Sequence, residues 1–207
     1  IDFLGKDWKR AGLFFAGALI LAFLPVIFLG RTLTPPLFYP LGATEQGPFG
    51  YEGRTPAMTF SADMASGIYA DWPINILAGK MWRSGNIPLW NPYQGTGVPL
   101  LAQTSWKILF PYQILEDISP YCLWDLFILG RMWIAGIFTF LFLRAIGTSK
   151  FGSLMGGLTY MLSGVFTWFW HLEQFTNVAM MVPVLFFSAE TFLAKPTFVR
   201  TVILGGT

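Results

Sequence analysis

The sequence predicts an all-α integral membrane protein, a multi-span helical bundle with one long extracytoplasmic loop, and three observations predict it. Of 207 residues, 54% are hydrophobic and only 12% are charged, against roughly 25% charged in an average soluble domain. Four apolar runs approach the ~20 residues that a helix needs to cross about 30 Å of hydrocarbon. The links between those runs carry their basic residues on alternate sides, as the positive-inside rule requires.

The first run, 12–30, holds no charge and follows Lys6, Lys9 and Arg10. A cleavable signal peptide shares that pattern. The run is long for one, however, and Arg31-Thr-Leu-Thr-Pro-Pro offers no small-x-small cleavage site. A retained span is therefore the preferred reading. The second run, 123–143, contains Asp125 and Arg131; the third is 152–170; the fourth, 176–194, has Glu190 near its end. Arg144 and Lys150 lie between runs two and three, and Lys195 and Arg200 follow run four. These basic links go to the cytoplasm with the N-terminus, so the His171-Leu-Glu-Gln-Phe turn and residues 31–122 go outside. The chain begins at Ile1 and ends in a new apolar run, 201–207. It reads as the N-terminal part of a larger fold, in which that run starts a fifth span.

Composition excludes several other classes. A net charge of +2 is too balanced for a nucleic-acid binder. Twenty-one Phe, nine Trp and seven Tyr are an apolar load that a disordered chain does not carry. The one cysteine, Cys122, can form neither an internal disulfide nor a cysteine-built metal cluster.

The outer loop spans 92 residues and holds eleven of the fourteen prolines. Loops this long without structure of their own are uncommon and usually functional or disordered; Trp72, Trp82, Trp90 and Trp106 argue against disorder. Residues 71–85 read as a short helix, with Asp71 as cap, Pro73 in the first turn and Gly85 at the end. Ile74, Leu77, Ala78 and Met81 share one face, while Asn75, Lys80 and Arg83 point elsewhere. Too short to cross a bilayer, this helix either lies in the membrane interface or packs within an outer domain. The turn-rich stretch 87–102 follows, where prolines forbid a regular helix. Its Trp90 and Tyr93 are aromatics of the kind that sit at headgroup level, and Gly95-Thr-Gly is a turn signal.

The order of an acidic residue, an aromatic-Pro helix, Gly85-Asn-Ile-Pro-Leu-Trp-Asn-Pro-Tyr-Gln-Gly-Thr-Gly-Val-Pro-Leu-Leu-Ala and Phe110-Pro-Tyr resembles the first outer loop of the bacterial YfhO-like membrane proteins. Those proteins look like glycosyltransferases of the C superfamily. The resemblance covers about residues 12–195, and the Leu143-Arg-Ala-Ile-Gly turn and Leu162-Ser-Gly belong to it. It implies a bacterial plasma-membrane enzyme that moves a sugar from a polyprenyl-phosphate carrier to an extracytoplasmic acceptor. Its partners would be membrane lipids, the lipid-linked sugar and further membrane subunits, with no nucleic acid.

The resemblance further implies a catalytic carboxylate early in the outer loop. The candidates are Asp63, in Phe60-Ser-Ala-Asp-Met, and Asp71. The family's Asp usually stands six or seven residues before the aromatic-Pro step, whereas Asp63 stands ten before Pro73 and Asp71 two.

Sugar transfer from a lipid phosphate needs a base for the acceptor hydroxyl and cations or donors for the leaving phosphate. A displacement with one base inverts the anomeric centre. Asp63 can be that base or merely cap a helix through Ile68. Arg131 sits about 12 Å down the second run at 1.5 Å per residue, where an ionisable group is a functional candidate by default. It would meet the carrier phosphate or pair within the bundle. Asp125, about 240° round the helix, is a poor partner for it. His171, beside Glu173, would orient a phosphate or a base, or simply anchor the chain end at the interface; Trp90 and Asn91 are the loop's own candidates for lipid-phosphate contact. Lys80, Arg83 and Lys107 would meet lipid phosphates or, as the preferred reading, form a solvated loop face. No protein metal-ligand cluster is visible. A divalent cation at the phosphate is the one cofactor the chemistry would accommodate. The alternative to an enzyme is a non-catalytic accessory subunit of a larger membrane complex; a transporter ranks third, since Arg131 is the single deep charge.

Overall fold

The structure, a computed structural model, describes residues 4–33, 71–102 and 107–206. Among them the chain is mostly helical. Its helices are α1 (Leu4–Ala22), α2 (Leu24–Phe28), α3 (Trp72–Arg83), α4 (Pro111–Ile118), α5 (Trp124–Ala145), α6 (Lys150–Met161), α7 (Gly164–Trp168), α8 (Glu173–Ala194) and α9 (Phe198–Gly205). The described strands are two residues each, β1 (Trp90–Asn91) and β2 (Val98–Pro99), paired antiparallel with Trp90 opposite Pro99. Two helical stretches are long and apolar enough to cross a membrane, Tyr121–Ala145 and Glu173–Ala194. They overlie the second and fourth apolar runs.

The other two runs are interrupted. The first is helical from Leu4, so the basic residues before it are part of α1. It breaks at Phe23, just ahead of Pro25, which has no N–H to close a turn on Leu21 and whose ring crowds that carbonyl. The third breaks at Leu162-Ser163, where α6 ends and Ser163, in extended backbone, opens α7. The Ser163 hydroxyl itself makes no capping hydrogen bond there.

The chain divides into two compact units. One comprises Ile1–Arg31, Ile128–Trp170 and Phe175–Thr207; the other comprises Thr32–Phe127 and His171–Gln174.

In the first unit the helices approach closely because small residues meet large ones. A Cβ on Gly157 of α6 would lie 2.5 Å from the Phe15 ring and 2.7 Å from the Gly136 carbonyl of α5. Phe15, fully buried, stacks edge-on against Phe140 at 6.5 Å. The Trp133 indole N–H donates to the Gly12 carbonyl at 2.9 Å, and the Tyr160 hydroxyl donates to the Ala179 carbonyl at 2.9 Å. Such small-residue contacts hold helices together where the hydrophobic effect between them is weak. Arg131 is buried here, and its Nε donates to Asn177 Oδ1 at 2.7 Å, joining α5 to α8. Lys150 Nζ reaches Asp7 Oδ1 at 2.8 Å, which brings the starts of α1 and α6 side by side. That hydrogen bond holds the Asp7 carboxyl below its ordinary range.

In the second unit α3 packs on α4. Ile74, Ala78, Leu100 and Ile108 form its apolar core, with Leu77 and Trp82 against them. The approach is closest at Gly79, where a Cβ would fall 1.9 Å from the Asp117 carbonyl oxygen. Only glycine allows it. Asp125 serves this unit, accepting from Thr32 Oγ1 and the Leu33 N–H at 3.1 Å each.

Two substitutions test this packing. Gly157→Leu drives a side chain into Phe15 and the Gly136 carbonyl, and overpacking of this kind costs about 1–3 kcal/mol; the detergent-solubilised chain is expected to unfold at lower temperature. Gly164→Ala, where a Cβ meets nothing within 4 Å, should leave the transition unchanged or raised.

Candidate functional site

The second unit contains a buried group of ionisable and polar side chains that its own helices assemble. Asp71 and Asn75 stand four residues apart across the start of α3, a spacing that stacks two side chains on one helix face. Both are buried. Asp71 makes no capping hydrogen bond, contrary to the expectation that it caps α3. Its carboxylate instead lies 3.9 Å from Lys107 Nζ. Pro73 does occupy the first turn, and Gly85 follows the helix with a φ of 78°.

Lys107 is the cation of the group. Its ammonium donates to Glu173 Oε2 at 2.8 Å and to Gln174 Oε1 at 3.5 Å. Asn75 Nδ2 donates to the same Glu173 oxygen at 2.7 Å. Glu173 therefore gathers an ammonium and an amide, and the Lys107 ammonium is shared between Glu173 and Asp71. Lys107 also has a φ of 52°, a left-handed conformation uncommon outside glycine. Its side chain is 6% exposed, so the solvated-face reading of this lysine is corrected: it lies inside, where a lysine is found when it is paired.

The α4 helix adds Gln113, Glu116 and Asp117, all buried. Gln113 Nε2 donates to Asp117 Oδ1 at 2.8 Å, while Asp117 Oδ2 and Asn75 Oδ1 are sealed from solvent with no hydrogen-bond partner. Burial pushes the Asp117 carboxyl up to about 8, with the negative charges of Glu173 and Glu116 adding to the effect and Gln113 and Lys107 opposing it. A neutral Asp117 is the physical answer to crowding several carboxylates around a single lysine.

The remaining candidates fall as follows. Asp63 lies outside the described residues. His171 is buried and belongs to this second unit. Trp90 and Asn91 build their own hairpin: the Trp90 indole lies over Gly97, where a Cβ would come within 2.5 Å of it, and Asn91 Oδ1 accepts the Tyr93 N–H at 2.9 Å. Gly95 and Gly97 make the turn with φ of 60° and 103°. Arg131 belongs to the first unit with Asn177.

The site residues that sequence reading passed over are Asn75, Gln113, Glu116 and Asp117; Lys107 reads there as a lipid-phosphate contact or a solvated face. The Asp71–Asn75 spacing was the available signal. Among the described residues no group of three His, Cys, Asp or Glu side chains is arranged to hold a metal ion. No protein-family model matches the chain, and no curated protein or solved structure is similar enough to serve as a relative.

Two measurements probe the group. Lys107→Met leaves two buried carboxylates without their shared cation, which should destabilise the fold by about 3–5 kcal/mol, read as a lowered denaturant midpoint. Asp117 carries a proton when folded that the unfolded chain releases above about 3.8, its ordinary value. Its contribution is full below that pH, drains as pH rises towards about 8 and is gone above it. Asp117→Asn, which still accepts from Gln113, should flatten the fall in unfolding midpoint across that window.

Proposed function

We propose that the chain is part of a bacterial membrane glycosyltransferase that moves a sugar from a polyprenyl-phosphate carrier to an extracytoplasmic acceptor. In this reading all four apolar runs cross the plasma membrane with the N-terminus in the cytoplasm, and residues 31–122 lie outside. The apolar surface left open on the first unit supports it: Leu13 and Leu21 of α1 and Leu193 of α8 are each at least 74% exposed, a cost in water that lipid removes. The Asp7–Lys150 pair supports a common side for the starts of α1 and α6.

The observation that carries the proposal is the Asp71–Lys107–Glu173 constellation. Asp71 acts as the base that takes the acceptor hydroxyl proton as that oxygen attacks the anomeric carbon and the carrier phosphate leaves. Lys107 is the positive charge beside it, and Glu173 with Asn75 positions Lys107. Such fixed charges are worth more in a desolvated site than in water. His171, also buried in this unit, would be a further contact for the phosphate.

A second reading, a non-catalytic subunit of a larger membrane assembly, draws on the burial of the same network. A lysine shared by two carboxylates also works as a structural tie.

The test is sugar transfer from a polyprenyl-phosphate-linked sugar by reconstituted membranes, with folding followed in parallel. Asp71→Asn should lower turnover by about 10²-fold or more, measured on the folded fraction. Full transfer by the Asn variant removes Asp71 as the base. Loss of assembly with neighbouring subunits, in a chain that transfers no sugar, establishes the accessory reading.

A further inference from the structure

The α4 helix is inside out. Its buried face is polar, with Gln113, Glu116 and Asp117 at 0%, 1% and 2% exposure, whereas Leu115 and Ile118 are 54% and 36% exposed. Leu115 and Ile118 stand three apart and share a face, as do Gln113, Glu116 and Asp117 at spacings of three and four. Leu109, just before the helix, is 56% exposed as well. A helix between a protein core and water has the opposite arrangement. Turning carboxylates inward and leucines outward costs free energy on both faces unless the outer medium is itself apolar.

The place of α4 in the chain identifies that medium. Ile118 is separated by Ser119 and Pro120 from Tyr121–Ala145, one of the two stretches long and apolar enough to cross a membrane. The Tyr112 hydroxyl donates to the Phe127 carbonyl at 2.8 Å, and the two rings meet edge-on at 5.5 Å. This pins α4 to the first turn of α5. Trp72, Tyr121 and Trp124 cluster at the same turn, with ring centroids 5.0–6.3 Å apart, a composition typical of the headgroup layer.

From this we infer that α4 is a lipid-seated helix. It lies in the outer membrane interface at the mouth of α5, with Leu115 and Ile118 in the acyl chains and Glu116 and Asp117 turned towards the buried charges around Lys107. The partner is the bilayer itself, met as hydrocarbon, and α4 is the layer that separates it from the candidate site. The inference rests on the membrane reading above but not on sugar transfer.

The test uses the full chain in lipid nanodiscs. A fluorophore is placed at Leu115→Cys, Ile118→Cys and, as a reference on α5, Leu126→Cys, each in a Cys122→Ser background. Native Cys122, exposed at the join, is labelled in the unsubstituted chain, so one reading needs no change of sequence. Doxyl-labelled phosphatidylcholine probes the lipid side and iodide the water side. The expected result is quenching by the doxyl lipid several-fold above quenching by iodide at Leu115 and Ile118, as at Leu126. Preferential quenching by iodide at the α4 positions, or by neither agent, which would mean that protein covers the face, overturns the inference while a lipid-quenched Leu126 keeps the membrane reading. Loss of lipid quenching at Leu126 too overturns both.

Discussion

A single ammonium, that of Lys107, holds the second unit in its observed form. It is buried, it lies 2.8 Å from Glu173 and 3.9 Å from Asp71, and it joins parts of the chain that are otherwise distant in sequence: the start of α3, the segment before α4 and the first turn of α8. Removing a charge of either sign from such a group leaves the other in a medium that solvates it poorly. The surrounding choices follow from that constraint. Asn75 donates to the Glu173 oxygen that the ammonium already uses, Asp117 holds a proton, and Gly79 lets α3 come close enough to α4 for Asp117 to share the same interior.

The two units solve opposite problems. In the first, apolar side chains point outward as well as inward, and cohesion comes from small residues, Gly136 and Gly157, against Phe15, with hydrogen bonds such as that of Arg131 to Asn177. In the second, the helices are short and the interior is partly ionic. On α4 the polar side is the inner one.

Much of this was legible in the sequence, and the illegible part has one physical cause. Length and apolarity located Tyr121–Ala145 and Glu173–Ala194, because both signals add along a run and need no knowledge of neighbours. Pro73 and Gly85 marked α3, and Gly95 and Gly97 marked the hairpin turn, because these residues act through the backbone. The first and third runs were read as continuous, since an apolar count is blind to Pro25 and to the backbone turn at Leu162-Ser163. The interior of the second unit was hidden more deeply. An amphipathic pattern defines an axis across a helix but not which end of the axis meets solvent, so Asn75 and Lys107 read as outward-facing and the inverted α4 could not be recognised. That sign is fixed by packing, through Gly79 and the pairing of Lys107 with Glu173.

The left-handed backbone of Lys107 limits how this chain can change over evolutionary time. Glycine or asparagine would relax that backbone, yet either would take away the cation that Asp71 and Glu173 share. Arginine would keep the charge, but as a planar fork that does not overlay a tetrahedral ammonium. Position 107 thus has no neutral neighbour one substitution away. Escape from that constraint takes a paired change, the lysine together with one of its acids.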